Sequence, residues 1–192
     1  MIMDENACIE KVLLGDAAAY EVLVGKYQSQ LVSFLWNLLG CGEDARDAAQ
    51  EVFIKAYFHL GSFNRMRSFK SWLFAIAYHC AVDMLRKKKR LRRFWQRQAC
   101  EDLEPESAAA GGRIEESPLW QPFLRKITPQ ERAVLALRYN EDFAAEEIAD
   151  ALGCSASTVR VHLFNARRKL KKELQNAGLT VGSQMPRAEE VP

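Results

Sequence analysis

From Ile9 to about Arg93 the apolar residues recur at steps of three and four, and no useful stretch alternates apolar with polar as a strand would. The first half of the chain is therefore expected to be helical throughout. Ala18 to Leu39 carries Tyr20, Leu23, Val24, Tyr27, Leu31, Phe34, Leu35 and Leu38 at helical spacing. Gly40 follows where a helix end favours a residue free of Cβ strain. A second helix is predicted from Asp44 to Leu60, ending at Gly61, and a third from Phe69 to about Arg93 with Phe69, Leu73, Ile76, Cys80 and Met84 along one stripe. Gly61 to Ser68 is the loop between these two. Cys100 to Pro118 breaks the pattern with prolines, glycines and acidic residues and offers little to bury. Periodicity resumes at Leu119 and runs to about Leu174, before Gly178, Gly182, Pro186 and Pro192. The expected fold is all-α: two small helical domains, residues 1–96 and 118–176, joined by a flexible linker at 97–117 and followed by a disordered tail at 177–192. There is no internal repeat.

Within the second domain, Glu146 to Leu152 reads as a short helix with Ile148, Ala149 and Leu152 inward, and Gly153-Cys154 supplies a sharp turn. Ser155 is placed to cap the next helix, which buries Val159, Leu163, Ala166 and Leu170. Ala144 lacks a capping hydroxyl for the short helix, so Asp142 is the expected substitute. The pattern is that of a helix-turn-helix, whose second helix enters the major groove. Ser157, Arg160, Val161, Phe164, Asn165 and Arg168 face outward. Arg160 and Asn165 are the natural base readers, since Arg forks onto guanine and Asn onto adenine. A helical hairpin with a solvated basic face is the plainer alternative.

Charge changes the picture through its distribution. The net charge is only 27 − 25 = +2, yet eight basic residues and no acidic one lie between Arg86 and Arg97. A second basic cluster runs from Arg167 to Lys172, whereas acids gather at Glu43 to Glu51 and at Glu101 to Glu116. Asp44, Asp47 and Glu51 line one face of the second helix with Gln50 and Lys55. Carboxylates in a first turn complement the helix dipole, which accounts for Glu43 and Asp44. It leaves Glu51, Phe53 and Tyr57 unexplained, and acid beside exposed aromatic suits a docking surface for a basic partner. The third helix begins aromatic (Phe69, Trp72, Phe74, Tyr78) and ends cationic, a combination that stacks bases and follows phosphates.

The remaining chemistry is mostly exclusion. A chain of 192 residues, 48% apolar and 27% charged, has room for one or two modest cores. Its start lacks an export signal and no segment approaches a membrane span, so no membrane insertion and a cytoplasmic location are expected. Cys8, Cys41, Cys80, Cys100 and Cys154 are scattered and His59, His79 and His162 form no cluster, so no metal and no cofactor are implied. No Gly-rich phosphate loop or G-x-S-x-G is present, and no enzyme is expected.

Taken together, Tyr20-Glu21-x-Leu23-Val24-x-x-Tyr27-Gln28, the run Asp44 to Ala56, Phe69-Lys70-Ser71-Trp72-Leu73-Phe74 and Asp83-Met84-Leu85-Arg86 resemble the extracytoplasmic-function class of sigma factors, of the sigma-70 family. Thr128-Pro129-Gln130-Glu131, Glu146-Glu147-Ile148-Ala149, Thr158-Val159-Arg160 and Ala166-Arg167-Arg168-Lys169-Leu170 resemble that family's promoter-binding domain in the right order. The resemblance covers about Ala18 to Leu174 and implies an alternative sigma factor, with region 2 in the first domain and region 4 in the second. Asp44, Asp47, Gln50, Glu51, Phe53 and Lys55 would then grip the clamp coiled coil of the β′ subunit of core RNA polymerase. Phe63, Asn64, Arg65 and Ser68 of the loop, with Trp72, His79, Arg86 and Lys87 of the third helix, would capture the minus-ten element of promoter DNA around a base turned out of the duplex. Ser155, Ser157, Thr158, Arg160, Val161, Phe164, Asn165, Arg167 and Arg168 would read the minus-thirty-five element. Control by an anti-sigma factor is also implied. His79, Ala75, Val161, His162 and Asn165 depart from the family's common residues, which implies an unusual target sequence. A dimeric helix-turn-helix repressor or activator is the alternative, but it does not explain the acidic helix followed by the aromatic and basic one.

Overall fold

The structure, a computed structural model, describes residues 5–98 and 126–177. Most of the expected linker and tail, residues 99–117 and 178–192, therefore lies outside the described residues. The described parts are helices and turns. Four helices form the first unit: α1 (Glu5–Leu13), α2 (Ala18–Leu39), α3 (Gly42–His59) and α4 (Phe69–Gln98), with a short 3-10 turn at Leu60–Ser62. Three form the second: α5 (Pro129–Tyr139), α6 (Ala145–Leu152) and α7 (Ala156–Asn176).

Local chemistry explains the boundaries. Gly40 closes α2 with a left-handed φ of 72° and donates its N–H to the Trp36 carbonyl. Acids at Glu43 and Asp44 occupy the first turn of α3, which begins two residues earlier than its pattern suggested. The third helix runs past Arg93 to Gln98 because Arg86 to Gln98 contains neither Gly nor Pro and is rich in strong helix formers. Thr128 and Glu131 start α5 reciprocally: the Glu131 N–H donates to Thr128 Oγ1 at 3.2 Å and the Thr128 N–H to Glu131 Oε2 at 2.8 Å. The start of α6 differs from expectation. Glu147 accepts from the Ala144 N–H at 2.8 Å, while Asp142 turns the chain with a φ of 57° and is not the cap.

The core is built by α2, α3 and α4. Leu23, Leu31, Phe34, Leu35 and Leu38 of α2 meet Ala45, Ala48, Val52 and Ala56 of α3 and Leu73, Phe74, Ala77 and Ala81 of α4, all buried. The alanine row lets α3 lie close to its neighbours, so its opposite face is presented to solvent. The two units share this core. Phe74 sits 5.2 Å from the Phe34 ring and 5.6 Å from that of Phe143, just before α6. Lys70 pairs with the Glu141 carboxylate at 3.0 Å, donates to its carbonyl at 3.0 Å, and lies over the Phe143 ring. Burial pushes the Glu141 carboxyl above the usual range, against the pull of Lys70.

Glu131 is a second buried acid, and there the partners win. Burial raises its carboxyl, but hydrogen bonds from Lys169 at 2.8 and 2.9 Å and from Thr128 hold it below the usual value. A carboxylate with a lowered folded pKa stabilises the fold above its unfolded pKa, and that contribution is lost as pH falls through the folded value. Glu131→Gln is therefore expected to cost about 1–2 kcal/mol near neutral pH, discounted because Lys169 is partly exposed. Urea unfolding at neutral and acidic pH checks it: the variant should lose less stability on acidification than the parent.

Candidate nucleic-acid interface

The outer face of α3 is exposed at Asp47, Gln50, Glu51 and Lys55, as the spacing predicts. Glu51 and Lys55 pair at 2.6 Å one turn apart, and Lys55 Nζ reaches Cys80 Sγ at 3.3 Å. The Glu51 partner raises the Lys55 ammonium above its ordinary value, against a smaller burial effect. Asp44 is half-buried and ion-paired to Lys88 of α4. Burial lifts its carboxyl, but hydrogen bonds to Lys88 and Cys41 bring it below the usual range.

Phe53 requires correction. It is 8% exposed and belongs to the core, because it continues the buried row Ala45, Ala49 and Ala56 at steps of three and four along α3. Ile54 and Phe58 take the outward positions instead, at 57% and 78% exposure. The steps Asp47, Gln50, Ile54, Phe58 are the i, i+3, i+7, i+11 of one helix face, a signal present in the sequence and not used there. Tyr57 is exposed as expected, edge-on to Tyr20 at 5.1 Å.

The loop before α4 is ordered by its own side chains. Asn64 Oδ1 accepts from the Met66 N–H at 3.0 Å, and Ser68 Oγ accepts from the Ser71 N–H at 3.3 Å at the start of α4. Phe63 is again a correction: it is 8% exposed and wedged between Phe69 and Trp72 at 5.7 and 5.1 Å, so it braces the loop from beneath. Asn64, Arg65 and Met66 are exposed, Met66 at 93%. Arg65 stands 3.7 Å from Glu10 of α1, and Arg67 3.7 Å from Asp150 of α6. Trp72 is half-buried, His79 exposed with Nδ1 2.7 Å from the Ala75 carbonyl, and Arg86 pairs with Asp83 at 3.3 Å. Lys87 is exposed. A groove of about 300 Å³ between α3 and α4 brings Lys55 and His59 opposite Trp72, Ile76, His79 and Asp83.

The helix-turn-helix forms as its sequence indicates. Gly153 takes a φ of 65°, and Ser155 Oγ accepts from the Thr158 N–H at 3.2 Å while meeting the Ser157 and Thr158 hydroxyls. Ser155 is thus a cap whose oxygen is already engaged. Val159 and Ala166 are buried, and Arg160, Val161, Phe164 and Arg168 are exposed, with Asn165 half-buried. Glu146 holds Arg160 at 3.5 Å, the Arg168 guanidinium lies 5.9 Å over Phe164, and that of Arg167 lies 5.3 Å over Tyr139. Arg167 therefore leans back onto α5 and away from the front of α7. Among the described residues no helix is long and apolar enough to cross a membrane.

The family model for Sigma-70 region 2 matches residues 23–91 and that for Sigma-70, region 4, matches residues 123–170. The RNA polymerase sigma-H factor of Pseudomonas aeruginosa is 32% identical over 183 residues, spanning 89% of this chain and 94% of the relative. The ECF RNA polymerase sigma-E factor of Escherichia coli is 31% identical over 189 residues, spanning 90% and 95%. The chain belongs to the extracytoplasmic-function class of RNA polymerase sigma factors. Its fold is similar to that of the sigma factor RpoE of Bartonella quintana, solved in complex with the anti-sigma factor NepR, with a TM-score of 0.63 at 23% identity over 81% of this chain and 96% of that one. In this sigma factor the region 2 match spans α3, the loop and α4 as far as Leu91, and the region 4 match contains α5, α6 and most of α7.

Proposed function

We propose that α3 of this sigma factor docks on the clamp coiled coil of the β′ subunit, that the loop and outer face of α4 capture the minus-ten element, and that α7 reads the minus-thirty-five element. One observation carries the reading: a polar stripe with two exposed acids, Asp47 and Glu51 beside Gln50, continues into exposed Ile54 and Phe58 on a body whose α4 is basic. A charged rim around an apolar anchor is the anatomy of a protein interface, and a cationic helix that of a nucleic-acid one. The sigma factor contributes no catalytic centre of its own; it works in the cytoplasm, and chemistry stays with the polymerase. A photo-crosslinker at Gln50 is expected to capture the β′ clamp, whereas one at Glu173 on α7 should not. Capture only of another subunit would overturn the docking face.

Base reading by α7 has a separate test. Arg160→Ala should cost about 1–3 kcal/mol at one promoter position and relax preference there. Lys171→Ala should weaken all sequences alike and lower the salt slope by about 1. Binding titrations on a library of minus-thirty-five boxes at two salt concentrations separate the two outcomes.

The docked units have a functional consequence. The two promoter boxes are centred about 25 base pairs apart, some 85 Å at about 3.4 Å per pair, while Arg67 of the minus-ten loop stands 3.7 Å from Asp150 in the first helix of the helix-turn-helix. Promoter engagement therefore requires the Lys70–Glu141 pair to open. An anti-sigma partner that covers the docking and DNA-binding faces would hold the units together. Recovery of such a partner with the tagged protein from uninduced cells is expected; its consistent absence would argue against this control.

A further inference from the structure

Two exposed apolar side chains stand in the middle of the α7 face proposed to read DNA. Val161 is 56% exposed and Phe164 64%, and both lie on the side of the helix opposite buried Val159 and Ala166. At about 100° per residue, Ser157, Val161, Phe164 and Arg168 fall within about 60° of one another round the helix, and all four are exposed. Arg160 and Asn165, the polar base readers, flank this strip on either side. The apolar pair therefore occupies the centre of the surface. Residues three apart on a helix are neighbours, so Val161 and Phe164 form one patch. Arg168 holds its guanidinium 5.9 Å over the Phe164 ring, which braces that wall of the patch.

From Ala156 to Lys172 the helix carries six Arg and Lys residues and neither Asp nor Glu. Such a surround suits DNA, whereas the core of a protein interface is depleted of charge. The floor of the major groove is almost wholly polar, and its one apolar group is the C5-methyl of thymine. Guanine, adenine and cytosine offer donors and acceptors there that an isopropyl group cannot satisfy, and burying them unpaired costs affinity. We infer that Val161, walled by Phe164, is a specificity-determining residue that reads a thymine C5-methyl in the minus-thirty-five element. This role rests on α7 as the reader of that element, and it adds a third selected base beside those of Arg160 and Asn165. Val161 is one of the places where the chain departs from its family's common residues, so the thymine is a preference of this chain.

The test is competition binding of the holoenzyme, formed from core RNA polymerase and the full-length protein, on duplexes that differ only in the minus-thirty-five box. Deoxyuridine replaces each thymine of the preferred box in turn, which deletes the methyl and leaves every hydrogen bond of the base pair in place. One replacement is expected to weaken binding about fourfold, which is what one buried methyl group contributes. In Val161→Ser the same replacement should change affinity less than about 1.5-fold, and the melting temperature should stay that of the parent because Val161 is exposed. A preferred box without thymine, replacements that all leave affinity unchanged, or a penalty that persists in Val161→Ser would each overturn the inference. So would a loss of core polymerase affinity in Val161→Ser with no effect on base preference, which would make the patch a protein contact. Arg160→Ala separates the two claims. If it still relaxes base preference, a missing uracil penalty refutes the methyl contact alone, whereas parent holoenzyme that ignores the box altogether refutes α7 as its reader.

Discussion

Phe74→Ala is expected to cost about 3–5 kcal/mol and to lower the melting temperature by about 10 °C or more, the largest single effect in this protein. The ring is fully buried and joins three parts of the chain: Phe34 of α2, Phe143 of the segment before α6, and Lys70 one turn earlier on α4. Its removal leaves a cavity that two rigid helices cannot close, and it takes away the seat on which the second unit rests. Phe143→Ala, at the edge of the same cluster, should cost less and chiefly loosen the second unit. Thermal unfolding by circular dichroism checks both. A loss below about 1 kcal/mol for Phe74→Ala would contradict a shared core.

The second large effect is on binding. Asp47→Lys/Glu51→Lys should weaken core polymerase affinity about a hundredfold, some 2–3 kcal/mol, because two attractive charges become two repulsive ones against a basic partner. The fold should tolerate the change, since both side chains are exposed and the Glu51–Lys55 surface pair is worth only a few tenths of a kcal/mol. The deficit should shrink as ionic strength rises. Fluorescence anisotropy with core polymerase at two salt concentrations gives the affinity, and a melting curve controls for folding. Unchanged affinity would move the docking face elsewhere.

Much of this is legible in the sequence because helices announce themselves through period and punctuation. Gly40, Gly153, Thr128-Pro129 and Ser155 mark ends that the structure realises with the expected backbone angles and caps. The outward set on α7 follows from Val159 and Ala166 alone once their burial is assigned. What periodicity does not decide is side-chain direction near the edge of a stripe. The chemistry of Phe53 and Phe63 suits an outer binding face, yet both rings are needed inside, and Ile54 and Phe58 are left outside. An apolar residue on an outer face looks like noise in a single sequence, and only the packed neighbours reveal how exposed it is. The docking of the two units is equally invisible. It depends on Lys70 meeting Glu141 and Phe74 meeting Phe143 across about 70 residues of chain, pairings that no local pattern encodes.

The most direct test of the central reading is run-off transcription with purified core RNA polymerase, this protein and a fragment library of host DNA, sequencing the transcript starts. Starts that appear only with the protein and share two upstream boxes, shifted in preference by Arg160→Ala, are the predicted result. DNA binding by the protein alone, with no protein-dependent starts, would contradict it and favour a repressor.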